Sequence, residues 1–272
     1  MLPGSTQSGV WAKSAAVQLR VIRALVLREV SAKFARQRLG YLWAFVEPVA
    51  FVIAFSFILS VGGRSLPAGM PAVPFFITGI IPFFLFRDVA NATLRGVSAN
   101  KALLVYPQVT AMDVMIARLL LELSTTIVVF VALLIAISWL GIEVRIERPI
   151  EAFAWLIAIG LAGFGFGAAC GALEPLFPAV ERIVPAVVLR PLFWISGVFF
   201  TSDMLPSEIR DLALVNPLLH MIELLRSAFF HEFESAYSSY SYAGFMLLIS
   251  LFFAVLLHRA LRRHILIAMH AQ

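Results

Sequence analysis

The apolar residues of this chain gather in long runs rather than in the alternating pattern of half-buried strands. Six runs stand out, at 41–61, 73–97, 115–140, 153–173, 183–200 and 242–257. A helix needs about 20 mostly apolar residues to cross the hydrocarbon core of a bilayer, and it satisfies its own backbone hydrogen bonds while doing so. The runs predict an all-α integral membrane protein with six transmembrane helices, spanning region 41–261. The breaks at 62–71, 141–151 and 174–182 are short and rich in glycine, proline or charge, as tight connections are.

Two stretches outside the runs keep a helical period. From Trp11 to about Val30, the residues Trp11, Ala15, Leu19, Ile22 and Val26 fall on one face, and Lys13, Arg20 and Arg23 point the other way. An apolar stripe opposite a basic face predicts an amphipathic helix lying in the membrane interface. It belongs to an N-terminal region, 1–40, that opens on a disordered lead of small and polar residues. In the connection 201–241, Asn216 to Phe230 reads as a helix opened by Pro217. At about 14 residues it is too short to cross, so a re-entrant or interfacial helix is expected there.

Composition agrees with the pattern. The 272 residues are 61% hydrophobic and only 14% charged, with a mean hydropathy of +0.93, which excludes a soluble globular domain. The single cysteine, Cys170, lies inside an apolar run, so neither a disulfide framework nor a cysteine metal cluster is expected. A net charge of +5 invites nucleic acid as a partner, but the cations sit at span ends and form no soluble basic face. With six spans both termini share a side, and that side holds thirteen of the 21 Lys and Arg residues against five in the opposite loops. The positive-inside rule places both termini, including the tail 262–272, in the cytoplasm. The early apolar stretch Val21–Leu27 is short and broken by Arg23, so no signal peptide is expected.

The polar residues within the runs are the candidates for function. Arg36 and Arg38, then Tyr41 and Trp43, make the first run's positive edge and aromatic belt, and Glu47 and Pro48 follow within two turns. A carboxylate there either snorkels back to the interface or meets a partner or water-filled path. In the second run Arg87 adjoins Asp88, and Asp88, Asn91, Arg95 and Ser98 recur at spacings of three, four and three, one helix face that is expected to line a cavity and emerge into the cytoplasm. Arg118 and Glu122 stand one turn apart, a spacing that allows an ion pair. Pro185 and Pro191 imply kinks in the fifth run, which also carries Arg190 and the aromatic group Phe193, Trp194, Phe199 and Phe200. Gly163, Gly167 and Gly171 form a small-xxx-small stripe for close helix packing. His220, Glu223 and Ser227 share a face, but one His and one Glu without a third ligand suggest a hydrogen-bonded structural pair rather than a metal site. No G-x-x-x-x-G-K-[ST], H-E-x-x-H or G-x-S-x-G occurs, so neither a P-loop ATPase nor a protease is expected in this polypeptide.

Four segments carry a family resemblance: Arg36 to Pro48 (RQRLGYLWAFVEP), Gly79 to Phe86 (GIIPFFLF), Ile116 to Glu122 (IARLLLE) and Asn216 to Arg226 (NPLLHMIELLR). Their order along the chain resembles ABC-2 type exporter permeases, and more narrowly those that export capsular polysaccharide. The resemblance implies the type-2 ABC exporter fold and a multi-pass protein of the bacterial inner membrane. It implies a homodimer working with two copies of an ABC ATPase subunit, which binds ATP and Mg while this chain binds no cofactor. The implied cargo is a lipid-linked acidic polysaccharide, drawn from the membrane lipid phase and passed to periplasmic and outer-membrane export proteins. In that frame Glu47, Arg87, Asp88, Asn91, Arg95 and Arg190 are substrate-path candidates, joined by Phe193, Trp194, Phe199 and Phe200, whose rings can stack on sugars. Arg36, Arg38, Asn100, Lys101, Leu104, Tyr106 and Pro107 are candidates for docking the ATPase, and His220, Glu223 and Arg226 mark the re-entrant helix. The alternatives are an ABC-2 exporter of another lipid or small molecule, an ion-coupled carrier using Glu47, Asp88 or Glu122, and a membrane enzyme. The carrier reading wants internal repeats, which 41–140 and 150–260 do not show, and the enzyme reading wants convergent His or carboxylate groups, whereas the five His residues are dispersed.

Overall fold

The computed structural model describes residues 7–36, 40–62, 66, 70–100 and 109–261, and all regular structure among them is helical. The α-helices are α1 (Gln7–Arg36), α2 (Gly40–Val61), α3 (Ala72–Leu94), α4 (Ala111–Trp139), α5 (Pro149–Leu173), α6 (Val180–Ile183), α7 (Arg190–Ile195), α8 (Ser207–Ala213), α9 (Pro217–Phe229) and α10 (Tyr240–Ala260). Five of them, α2, α3, α4, α5 and α10, are long and apolar enough to cross a membrane, and the count reaches six if α8 and α9, bent at 99°, are taken as one span.

Local chemistry explains where these helices begin. Thr110 opens α4 with a capping box: its hydroxyl accepts from the Asp113 amide, and the Asp113 carboxylate accepts from the Thr110 amide at 2.8 Å. Pro149 stands at the first position of α5, where its missing N–H leaves nothing unsatisfied. Asn216 caps α9 by accepting from the Leu218 amide at 3.0 Å, and its amide nitrogen donates to the Ile195 carbonyl and the Ser196 hydroxyl. Asn216→Ala removes the cap and two tertiary hydrogen bonds together. It should lower stability by about 1–2 kcal/mol, read as a drop in the thermal midpoint of the detergent-purified protein.

The bundle is organised around α3, which packs against α2, α4, α5 and α9. Phe75, Ile77, Ile80, Ile81, Phe83 and Leu85 of α3 are all fully enclosed. The glycine stripe of α5 faces this helix. A Cβ built on Gly163 would stand 2.6 Å from the Phe86 carbonyl oxygen, and one on Gly171 would stand 2.8 Å from that of Leu94, with Gly167 between them over Ala90 and Thr93. Gly165 lies on another edge of α5, against Ser250 of α10. Small residues thus let two neighbours approach one helix, the close packing expected of the spacing.

The fifth apolar run does not form one regular helix. Residues 180–195 are helical throughout, but 184–189 make a π-helical turn in which the Arg190 amide bonds the Pro185 carbonyl. Pro185 within it and Pro191 just after it remove donors from the regular ladder. The helix stops at Ile195, short of Phe200, because the chain turns through Gly197 at φ +72°.

The N-terminal helix is present, and its packed edge takes in Val26 of the expected stripe together with Val21 and Leu25, which lie outside it. Leu25, Val21 and Val26 pack on Val114, Ala117 and Val109, whereas Leu19 stays 70% exposed. The side chains of Trp11, Lys13 and Ala15 lie outside the described residues. Gln18 donates to Asp113, and Glu29 pairs with Arg118 at 3.8 Å. Arg118 therefore has a carboxylate partner on α1 as well as the charge of Glu122 along its own helix, and it donates to the Ala92 carbonyl at 2.7 Å.

Candidate functional site

Three helices enclose a polar cleft of about 320 Å³. Its walls are Trp43, Glu47 and Pro48 of α2, Phe84, Asp88 and Asn91 of α3, and Glu122, Thr125 and Thr126 of α4. Arg87 organises it. Its guanidinium bonds Glu47 at 2.8 Å and Asp88 at 2.7 Å, and lies 4.0 Å above the Phe84 ring. The planar fork of arginine suits such a double engagement, which a lysine ammonium cannot copy. Asp88 and Asn91, predicted to share one face, both open into this cleft. Arg95 lies beyond the end of α3 and pairs with Glu181 at 3.2 Å, so the expected polar stripe divides between two surroundings.

A second cluster is built on α9, whose residues from Leu218 to Phe229 are all buried. Glu223 accepts from the Ser202 amide and from the hydroxyls of Ser202 (2.8 Å), Ser235 (2.5 Å) and Ser238 (2.7 Å). One turn on, Arg226 donates to the carbonyls of Gly197, Phe200 (3.2 Å), Val198 (2.9 Å) and Phe75 (3.3 Å), and lies 3.9 Å over the Phe75 ring. His220 accepts from the Ser239 amide at Nδ1 and therefore donates from Nε2 to the Leu214 carbonyl, at 2.8 Å. The three residues do not form one pair or one site. The stretches they hold adjoin, with Glu223 at Ser202 and Ser238 between the 197–200 carbonyls taken by Arg226 and the Ser239 amide taken by His220, and buried ions are tolerated here because dipoles surround them. Arg148 closes the end of α9, donating to the Ser227 carbonyl at 2.7 Å, where a cation complements the helix C-terminus. Exposed Asp203, beside Ser202, has its carboxyl pushed above the usual range by desolvation and then by the charge of Glu223.

The aromatic candidates form a packed knot. Phe193 is buried, 5.0 Å from Phe83 and 4.9 Å from Phe199, and Phe199 in turn lies 4.4 Å from Phe55 and stacks on Trp194 at 5.0 Å. Trp194 is 57% exposed, Phe200 is half-buried, and Arg190 stands exposed on the same segment. At the opposite end, Asn100 is buried, accepts from Arg28 at 3.2 Å and donates to the Gly96 carbonyl at 3.2 Å. Arg36 is the last residue of α1, whereas Arg38, Lys101, Leu104, Tyr106 and Pro107 lie outside the described residues. Sequence reasoning missed Thr125 of the cleft and the serines that hold Glu223. Thr125 is a hydroxyl inside an apolar run and the serines lie in the connection 201–241, and serine and threonine are too common in either place to single out.

The four family-like segments meet at these two places. Trp43 and Glu47, Phe84 and Glu122 come from three of them and line the cleft. Gly79 and Arg226 come from two and touch, since a Cβ on Gly79 would collide with the guanidinium.

Comparison with known proteins points the same way. The profile of the ABC-2 type transporter family matches residues 20–230. The polysialic acid transport protein KpsM of Escherichia coli is 32% identical over 247 residues, covering 89% of this chain and 94% of that protein. The capsule polysaccharide export inner-membrane protein BexB of Haemophilus influenzae is 30% identical over 235 residues, 84% of this chain and 85% of its own length. CtrC of Neisseria meningitidis serogroup B, with the same description, is 31% identical over 226 residues, 80% and 82% of the two chains.

Proposed function

The chain belongs to the ABC-2 type transporter family, and on that premise we propose that it is the membrane subunit of an ATP-driven exporter that carries capsular polysaccharide across the bacterial inner membrane. The observation that carries this reading is similarity over nearly the full length to relatives named for that transport, on a bundle that has five or six apolar helices.

Two copies of this chain and two copies of an ABC ATPase make the working unit, with ATP and Mg held by the ATPase and both termini of this chain cytoplasmic. The cargo is a lipid-linked acidic polysaccharide, handed to periplasmic and outer-membrane export proteins. Exposed Arg190 supports a path between two copies. A guanidinium facing hydrocarbon is costly, and intramembrane cations face water-filled cavities or partners. Trp194 on the same segment offers a ring on which sugar C–H faces stack. The pair α8 and α9 acts as a re-entrant element, its buried ions holding the loop 197–202 at the exit.

Contacts at the α1 end support a docking surface there. Arg28 to Asn100, Glu29 to Arg118 and Arg118 to the Ala92 carbonyl join α1, the end of α3 and α4. A push by the ATPase on 101–108 is thereby delivered to three helices at once.

Co-purification with the neighbouring ATPase from mild detergent tests this. A stable two-plus-two complex is expected, with ATP hydrolysis uncoupled when 100–108 is disrupted. In cells, deleting the permease should leave polysaccharide inside and none at the surface. Failure of any ATPase to associate, with transport following a proton or sodium gradient instead, would overturn the reading.

A further inference from the structure

A second cavity, of about 230 Å³, lies away from the polar cleft. Phe86 of α3, Phe166 of α5, Met221 of α9 and Met246 of α10 line it, and Val188 and Leu192 close the remaining side. α10 packs on α5 and α9, and the cavity lies between α10 and the interrupted helix of 180–195. Val188 is 37% exposed, and Phe166, Leu192 and Met246 are half-buried, so the space opens on the outside of the bundle.

Its chemistry is one-sided. Two polar side chains reach the wall, and both are already engaged. The Asn216 amide nitrogen donates to the Ile195 carbonyl and the Ser196 hydroxyl, while its oxygen accepts from the Leu218 amide. The Ser250 hydroxyl donates to the Leu247 carbonyl at 2.8 Å. No charged side chain is among the described residues that line the space. Water does not fill such walls: apolar cavities stay dry, and one of about 150 Å³ already takes a benzene ring. The occupant is therefore hydrocarbon. Met221 and Met246 suit one of no fixed shape, because the unbranched thioether adapts to irregular gaps.

Position identifies its source. Met246 and Ser250 lie six and ten residues into α10 from Tyr240, about 9 and 15 Å along the axis. In a hydrocarbon core about 30 Å thick, that is acyl-chain depth, below the headgroups. Phe245, Leu248 and Phe252 of the same helix are exposed, so bilayer hydrocarbon runs beside the opening. Leu192 and Trp194 stand two residues apart on α7, about 200° around the axis. The cavity is thus on the far side of α7 from the exposed Trp194 face. We propose that this cavity seats the tail of an acyl chain from a bilayer phospholipid, whose headgroup stays in the lipid layer. The chain fills the space between α10 and the helix of 180–195, and braces that helix where its two prolines interrupt the hydrogen-bond ladder. This assignment stands on the cavity and does not depend on the polysaccharide cargo.

Photolabelling of the full-length, detergent-purified protein tests it, using a phosphatidylethanolamine with a diazirine near the end of one acyl chain. Adducts are mapped by mass spectrometry as the lipid is titrated. Those on Val188, Leu192 and Met246 are expected to saturate, whereas those on outward-facing Phe252 rise in proportion to lipid. Met246→Trp puts an indole into the space. It should lower labelling of 188–192 by about tenfold, the effect of excluding two buried methylenes, and leave Phe252 labelled as before. Val188→Trp plugs the cavity from the opposite wall, and a thermal scan of each variant separates a filled cavity from a lost fold. Wall labelling of wild type that never saturates overturns the proposal, and so does full labelling of a well-folded Met246→Trp protein. If Val188→Cys joins two copies through a disulfide, a second copy covers the opening and the lipid is likewise overturned.

Discussion

Gly167→Leu is expected to leave little or no folded protein in the membrane. Any Cβ at this position meets the Ala90 carbonyl and the Thr93 hydroxyl well inside van der Waals contact. The first of these is helix backbone, which cannot rotate away. Thr93 is itself fully buried and bonded to the Val89 carbonyl at 2.8 Å. Overpacking of a core usually costs about 1–3 kcal/mol, and this contact sits at the high end or beyond because relief requires separating α5 from α3 along the whole stripe. Two controls make the result specific. Gly160→Ala places its Cβ 3.4 Å from Leu85 and Leu123, ordinary contact, and Gly244→Ala meets nothing within 4 Å. Both should fold normally, and Gly244→Ala should gain stability from helix propensity, by less than about 1 kcal/mol. Yield after size-exclusion chromatography and the thermal midpoint in detergent are the readouts. A Gly167→Leu protein that elutes and melts like wild type would show that α3 and α5 are not packed through this stripe.

Arg226→Met should be the next most damaging change. Four carbonyls, from Gly197, Val198, Phe200 and Phe75, lose their donor, and the bonds to all but Phe200 are buried. Buried Glu223 also loses the cation one turn away. Removing one member of such an arrangement typically costs about 3–5 kcal/mol. Arg226→Lys keeps the charge, but a single ammonium with three protons cannot cover the spread of acceptors that the guanidinium fork reaches, so it should recover less than half of the loss. Because the loop 197–202 is held from α9, export should fall more steeply than expression as these variants are compared. Arg226→Lys matching wild type in both melting and export would show that charge alone suffices.

These two effects also mark what could be read in advance. The spacing of Gly163, Gly167 and Gly171 is a statement about one face of α5, and it is visible in the sequence because a helix repeats every 3.6 residues. That the face meets α3 is not visible. The same limit applies to ions. Arg118 and Glu122 are neighbours along a helix, yet Arg118 pairs with Glu29, 89 positions earlier in the chain, and Arg87 reaches Glu47 across 40 positions. His220, Glu223 and Arg226 share a short stretch of helix, yet the partners they hold lie as far apart in the chain as Gly197 and Ser239.

By itself the sequence determined that this is a helical membrane protein, where its long apolar segments lie, which edge of α5 is fit for close approach, and which family it joins. It could do so because hydropathy and helical period are properties of neighbouring residues. Only the tertiary structure decided what each face meets, that the helix of 180–195 is interrupted and ends at Ile195, and that four distant segments converge on one cleft and one buried arginine. Those outcomes depend on contacts between residues far apart in the chain, and local pattern carries no record of them.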